Sequence, residues 1–201
     1  IHFFRINYSD NIKIILVSNK FKKRFENYEN INLILKDDIW SNRIKYALSK
    51  IETKYILFFF EDFIIKNKVE LSIVDRIFEF IKVNNIDYLK LNNTERKLIN
   101  ITDIINTNLK AGEIPPDDPY RLPLQISFWK KSLFNDLLNY ESNPWEFERN
   151  IAKYKVLNKN KIMSIYDYQP IEYNKRGIVV KGKLVKKELF FLKQNNYFLN
   201  T

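Results

Sequence analysis

The chain has 201 residues, 45% of them hydrophobic, with a formal net charge of +10. That is enough apolar material to bury a real core within one domain of ordinary size, and too much for a disordered chain. It has no cysteine and a single histidine, His2, which excludes disulfides, thiolate metal sites and thiol nucleophiles, argues against a His-based triad, and leaves chemistry to carboxylates.

In chain order, residues 12–19 (IKIILVSN) read as a strand ending in polar residues, and 31–38 (INLILKDD) as another, with a charged helix or loop between them. Ile44, Leu48 and Ile51 fall at helical spacing in residues 41–51, with Ser41 placed to act as N-cap. Residues 55–60 form an unbroken apolar run, the mark of a strand buried on both faces. A second amphipathic helix follows through Leu71, Val74, Ile77, Phe78 and Ile81, then a strand over 87–92. Residues 111–123 carry four of the six prolines and read mainly as loop, and Phe128, Leu133, Leu137 and Leu138 predict a helix over 127–140. Strands separated by helices of this length predict an α/β sheet, largely parallel in its first half. No internal repeat is present. Residue 1 is Ile and the apolar start is abrupt, so the chain reads as beginning inside a longer one; no signal peptide pattern and no run of eighteen apolar residues is seen.

Glu61 and Asp62 interrupt the apolar stretch FFFEDFIIK. An unpaired carboxylate in the interior costs several kcal/mol, so these acids belong at the sheet edge or beside a cation, and the carboxyl ends of strands are where open α/β sheets bind ligands. The scattered Gly112, Gly177 and Gly182 leave no phosphate-cradling loop. The densest basic stretch, residues 174–187, contains Lys175, Arg176, Lys181, Lys183, Lys186 and Lys187; a solvated face and a site for phosphate or anionic lipid headgroups are both open readings. The other lysines are dispersed, which weakens a nucleic-acid reading of the charge.

Residues 40–65 resemble the segment of bacterial GT-A-type glycosyltransferases in which a helix feeds a buried strand ending in an acidic metal motif. Residues 120–154 resemble the acceptor-side region of polysaccharide and lipopolysaccharide glycosyltransferases, and residues 172–189 are similar to the segment that ends such domains. The resemblance implies a GT-A-like mixed, mostly parallel sheet flanked by helices in one domain, with a nucleotide-sugar-binding half over 1–110 and an acceptor-side half over 111–201. Residues 1–8 correspond to the helix after the family's leading strand, so that strand is expected to be missing. The implied activity is sugar transfer from a nucleotide-sugar donor to a hydroxyl of a glycan or lipid-linked acceptor in bacterial surface-polysaccharide or lipopolysaccharide (capsule-type) synthesis, with no nucleic-acid partner. The implied place is the cytoplasm, with peripheral contact at the inner face of the membrane. A non-catalytic carbohydrate- or nucleotide-binding domain on a degenerate scaffold is the alternative.

The family's divalent metal, manganese or magnesium, is expected on Asp62 with Glu61 in support, although Phe60 stands where the usual Asp-X-Asp has its first acid. Arg43, Arg176 and Lys181 are the expected cations for the leaving diphosphate. A base must take the acceptor proton, and NPWEFE (143–148) offers Glu146 and Glu148. Asn143, Pro144 and Glu146 also form a capping-box pattern. Glu148 follows Trp145 by three residues, the spacing of a related Trp-Gly-Gly-Glu acceptor motif, and also reads as an exposed helix acid. Trp145 is expected to stack on an acceptor sugar or to anchor its helix, Trp40 has the same two readings, and Trp129 is expected in the core. Asp118, with Asp117, is a competing acceptor-side acid or a loop breaker before Pro119.

Overall fold

The computed structural model describes residues 7–8, 12–19, 31–60, 62–92, 97–139, 143–150, 155–174, 177–180 and 183–195. Its centre is a six-stranded sheet in the order β3-β7-β4-β8-β6-β5. These strands are β3 (Tyr55–Phe58), β4 (Tyr88–Lys90), β5 (Ile99–Asp103), β6 (Lys110–Glu113), β7 (Ser127–Lys130) and β8 (Ile162–Tyr166). A separate parallel pair, β1 (Ile14–Ser18) with β2 (Ile31–Leu35), precedes it, and an antiparallel pair, β9 (Val179–Val180) with β10 (Lys183–Leu184), follows it. The α-helices among the described residues are α1 (Trp40–Ser49), α2 (Leu71–Val83), α3 (Lys131–Leu137), α4 (Pro144–Asn150) and α5 (Lys186–Gln194).

The mixed α/β class agrees with the sequence reading, and the strand directions refine it. β3 and β4 are both antiparallel to β7, and β4 is parallel to β8, so β3, β4 and β8 run the same way. β6 is antiparallel to both β8 and β5. The direction inferred from strand–helix–strand order is therefore kept for β3 and β4. The hydrogen-bonded neighbours are mostly antiparallel, because β7 and β6 insert between strands that would otherwise pair in parallel. β7 belongs to the second half of the chain, so residues 1–110 and 111–201 share one sheet.

Alternation along each strand gives the sheet two covered faces. Tyr55, Leu89, Phe128, Met163 and Ile165 meet Val74, Ile77, Phe80 and Ile81 of α2 on one side. Tyr88, Trp129 and Ile162 meet Ile44 and Leu48 of α1, Leu133, Phe134 and Leu137 of α3, and Phe147 of α4 on the other. Ile14 of β1 touches the first core and Val17 the second. Trp129 is fully buried, as expected, with its ring 4.4 Å from Phe134 and 4.5 Å from Tyr88, and its Nε1–H donates to Ser127 Oγ at 2.9 Å. Burying a large side chain of this kind contributes about 1.5–3 kcal/mol.

Three local expectations are corrected. The helix expected over 127–140 begins only at Lys131, because Phe128 and Trp129 point to opposite faces and fill both cores as a central strand. Ser41 is not the N-cap: Ile39 is, without a side-chain cap, and Ser41 lies buried inside α1. Asp38 organises this end instead, its Oδ1 accepting from the Ile39 N–H at 2.8 Å and from Asn42 Nδ2 at 2.9 Å. Of the loop expected over 111–123, residues 111–113 pair as the end of β6. No helix among the described residues is long and apolar enough to cross a membrane.

β3, β4 and β8 deliver their carboxyl ends to one edge of the sheet, where β7 and β6 begin. This edge holds the candidate site.

Candidate functional site

Asp62 lies just beyond β3, and the chain there is clamped to the 172–178 segment. The Ile178 N–H and Asn174 Nδ2 donate to the Asp62 carbonyl at 3.1 and 3.3 Å, and Asn174 Oδ1 accepts from the Ile64 N–H at 2.6 Å. The Gly177 N–H closes the turn onto the Asn174 carbonyl at 2.9 Å. Gly177 has φ +72°, and a Cβ on it would lie 1.9 Å from Asp62 Oδ2. The carboxylate therefore packs on bare backbone, and glycine is needed both for the left-handed turn and for the close approach. The answer to the acids in FFFEDFIIK is that Asp62 has left the strand for a turn at the sheet edge. Glu61, Arg176 and Lys181 lie outside the described residues.

Glu148 reaches the same end of the sheet from the second half of the chain. Phe147, fully buried, pins α4 to the second core, with its ring 5.6 Å from Trp40 and 5.8 Å from Phe134. That fixes the next residue: Glu148 Oε1 accepts from the Leu124 N–H at 2.6 Å, just upstream of β7. Burial pushes the Glu148 carboxyl above the ordinary value, opposed by that hydrogen bond and by the positive charge of Lys90 at the end of β4. It is thus a mostly desolvated acid, unlike the exposed helix acid that was its plainer reading. A raised carboxyl pKa brings it closer to the range in which a base works at neutral pH.

Trp145 is 72% exposed, so it does not anchor α4; Phe147 does. Its indole stands in solvent two residues from Phe147 and three from Glu148. Glu146 sits in the first turn of α4, and its backbone N–H donates to Asn143 Oδ1 at 2.9 Å, as the capping pattern predicted. Asp118 is buried, and its Oδ1 accepts from the Tyr120 N–H at 2.8 Å, an Asx turn that shapes the proline-rich loop. Arg43 lies near the start of α1, four residues after Ile39, and its Nε is buried without a hydrogen-bond partner among the described residues. Trp40, in the same turn, packs on Phe147, which brings this end of α1 toward α4.

Asp62 follows the end of β3 and Glu148 bonds the segment that leads into β7, while Arg43 lies in the first half of α1 and Asp118 and the Glu146 backbone do local structural work. Sequence reasoning missed Lys90, Leu124, Asn174 and Gly177. Only Gly177 carried a local signal, as the glycine closing the turn Asn-Lys-Arg-Gly. Asn92, buried at the end of β4, was also missed: its Nδ2 donates to Gln125 Oε1 at 3.0 Å, and its Oδ1 has no partner among the described residues.

The donor set for a metal is narrow. Phe60, at the first position of the usual acidic motif, lies edge-on to Phe58 at 5.4 Å and to Phe63 at 6.0 Å. Among the described residues no group of three or more His, Cys, Asp or Glu side chains comes together. Among the described residues Asp62 is the carboxylate at this turn, an oxygen ligand of the kind a magnesium-like ion takes together with a diphosphate.

No protein-family model and no curated protein matches the chain. Among solved structures it is similar to S. aureus TarS 1–349, determined in complex with UDP-GlcNAc, with a TM-score of 0.50 and 16% identity over 80% of this chain and 48% of that one. The bifunctional IspDF from Campylobacter jejuni follows at a TM-score of 0.47 and 14% identity, over 81% of this chain and 39% of that one. The chain spans about half the length of the TarS chain it matches. At such identity the likeness to TarS speaks for the fold, a mixed α/β sheet flanked by helices.

Proposed function

We propose that this chain is a glycosyltransferase domain that binds a nucleotide-diphosphate sugar at the edge formed by β3, β4 and α1, and passes the sugar to a hydroxyl of a glycan or lipid-linked acceptor. The observation that carries the reading is Glu148: a half-buried carboxylate, fixed by the Leu124 N–H, at the same end of the sheet as Asp62 and three residues from the exposed Trp145. The fold it shares with TarS, a protein solved with UDP-GlcNAc, supports the donor class.

In a single displacement the acceptor oxygen bonds to the anomeric carbon, the bond to the diphosphate breaks with its electron pair on the leaving oxygen, and the hydroxyl proton passes to Glu148. Oε1 is engaged by Leu124, which leaves Oε2 as the atom to receive it. Arg43 would offset charge on the leaving diphosphate, joined by Arg176 and Lys181 of the basic stretch. A divalent metal, if bound, would sit on Asp62 and add positive charge at the diphosphate. Trp145 offers an apolar face to the acceptor ring.

A second reading, a non-catalytic nucleotide- or carbohydrate-binding domain, is favoured by Phe60, whose place in the aromatic cluster removes one acidic ligand. One experiment separates them. Thermal melting with uridine diphosphate is expected to show a manganese-dependent rise that Asp62→Ala abolishes, and a nucleotide-sugar panel is expected to show slow donor hydrolysis. Equal stabilisation of Asp62→Ala removes Asp62 from the site. Binding with no turnover of any donor, with or without acceptor glycans, favours the second reading.

A further inference from the structure

The inward side of α5 is settled by its contacts. Glu188 and Leu192 are buried, Leu192 packs with Ile64, and Lys66 pairs with Glu188 at 3.1 Å. The opposite side is therefore fixed by helical spacing. Phe190 is 61% exposed, and Lys186, Lys187 and Lys193 lie four and three residues before it and three after it, all exposed. This face contains no acid, because Glu188 is turned inward against Lys66. The hairpin that leads into α5 also carries exposed apolar and basic side chains. Leu184 and Val179 face each other across β9 and β10 and are 47% and 43% exposed, and Lys183 beside them is exposed too.

We propose that this α5 and β9–β10 surface docks the protein on an anionic lipid bilayer, with Phe190, Leu184 and Val179 entering the headgroup region and Lys183, Lys186, Lys187 and Lys193 contacting lipid phosphates. The charge pattern selects a negatively charged partner. The exposed apolar side chains at the centre of the lysines select a bilayer over a nucleic acid, since they gain from leaving water for the acyl boundary and would stay wet against a phosphate backbone. The β9–β10 hairpin adjoins the turn that packs on Asp62, since the Ile178 N–H donates to the Asp62 carbonyl one residue before β9, but the inference does not depend on the proposed activity.

The test is co-sedimentation of the full chain with vesicles of phosphatidylcholine alone and of phosphatidylcholine mixed with anionic phosphatidylglycerol. Binding is expected only to the anionic vesicles and is expected to weaken with salt. Each of Lys186→Gln, Lys187→Gln and Lys193→Gln is expected to weaken it about fivefold, and Phe190→Ala about tenfold. Charge-matched single controls, Lys50→Gln, Lys68→Gln and Lys82→Gln, are each expected to bind as the unaltered chain does. All these positions are on the surface, so unchanged melting temperatures verify folding. Equal binding to neutral vesicles, an equal loss in the controls, or binding to a single-stranded RNA oligonucleotide with none to anionic vesicles would each overturn the proposal.

Discussion

Replacing Gly177 by alanine tests the geometry around Asp62 directly. At φ +72° an alanine pays about 1–2 kcal/mol for the left-handed backbone alone. The new Cβ would also stand 1.9 Å from Asp62 Oδ2, where ordinary contacts begin beyond 3.0 Å, so the carboxylate or the turn must move by about 1 Å. Together these effects are expected to remove at least about 2 kcal/mol, a fall in melting temperature of roughly 4–8 °C for a chain of this size. The informative measurement is the double-mutant cycle with Asp62→Ala. Once the carboxylate is gone only the backbone term remains, so Gly177→Ala should then cost about half as much, with a coupling near 1 kcal/mol. Equal losses in both backgrounds would show that Asp62 does not pack on Gly177, and would refute the placement of the acid at this turn.

Two further outcomes concern the other side of the edge. Glu148→Gln keeps an acceptor for the Leu124 N–H while deleting a desolvated charge, so transfer or donor hydrolysis should fall about 10²–10⁴-fold with the fold intact. The sign of the pH effect follows from the raised carboxyl. The folded protein binds the proton more tightly than the unfolded chain, so stability from this group is lost as pH rises from the ordinary glutamate range through the folded value. The unaltered chain should therefore lose stability relative to Glu148→Gln over that interval in pH-resolved melting, while activity climbs across the same interval; an activity that falls there would exclude Glu148 as base. Trp145→Ala, at an exposed position, should leave the stability within about 0.5 kcal/mol of unchanged and raise the acceptor KM about tenfold; an unchanged KM would place the acceptor elsewhere.

Much of the framework was legible in the residues, and the failures have physical causes. The helices over Ile44 and Leu48 and over Val74, Ile77 and Ile81 announced themselves through period, as did the unbroken run of β3. β7 was misread because Phe128, Leu133 and Leu137 keep helical spacing across a strand–helix junction, and four residues are too few to show alternation of their own. β5 alternates Ile99, Asn100, Ile101 and Thr102 over only a few residues and is exposed along its whole length, so its pattern points to no core face. At the site, Glu148 was selectable from its spacing to Trp145, but its burial depends on Leu124 and Lys90, which reach it only through tertiary folding. The distinction between Phe147 as anchor and Trp145 as free aromatic was equally hidden, since both fall in one turn of helix.

The interleaved strand order has a consequence for synthesis. β3 and β4 reach their final hydrogen-bonding partner only when residues 127–130 are available, and β4 waits further for β8. A nascent chain stalled at residue 110 would hold two apolar strands flanking a vacant slot, with their amide and carbonyl rows unpaired. Such a species invites self-association and folds late and slowly, because its decisive contacts join distant parts of the polypeptide. Production of the protein should accordingly suffer more from premature termination between β4 and β7 than from trimming after α5.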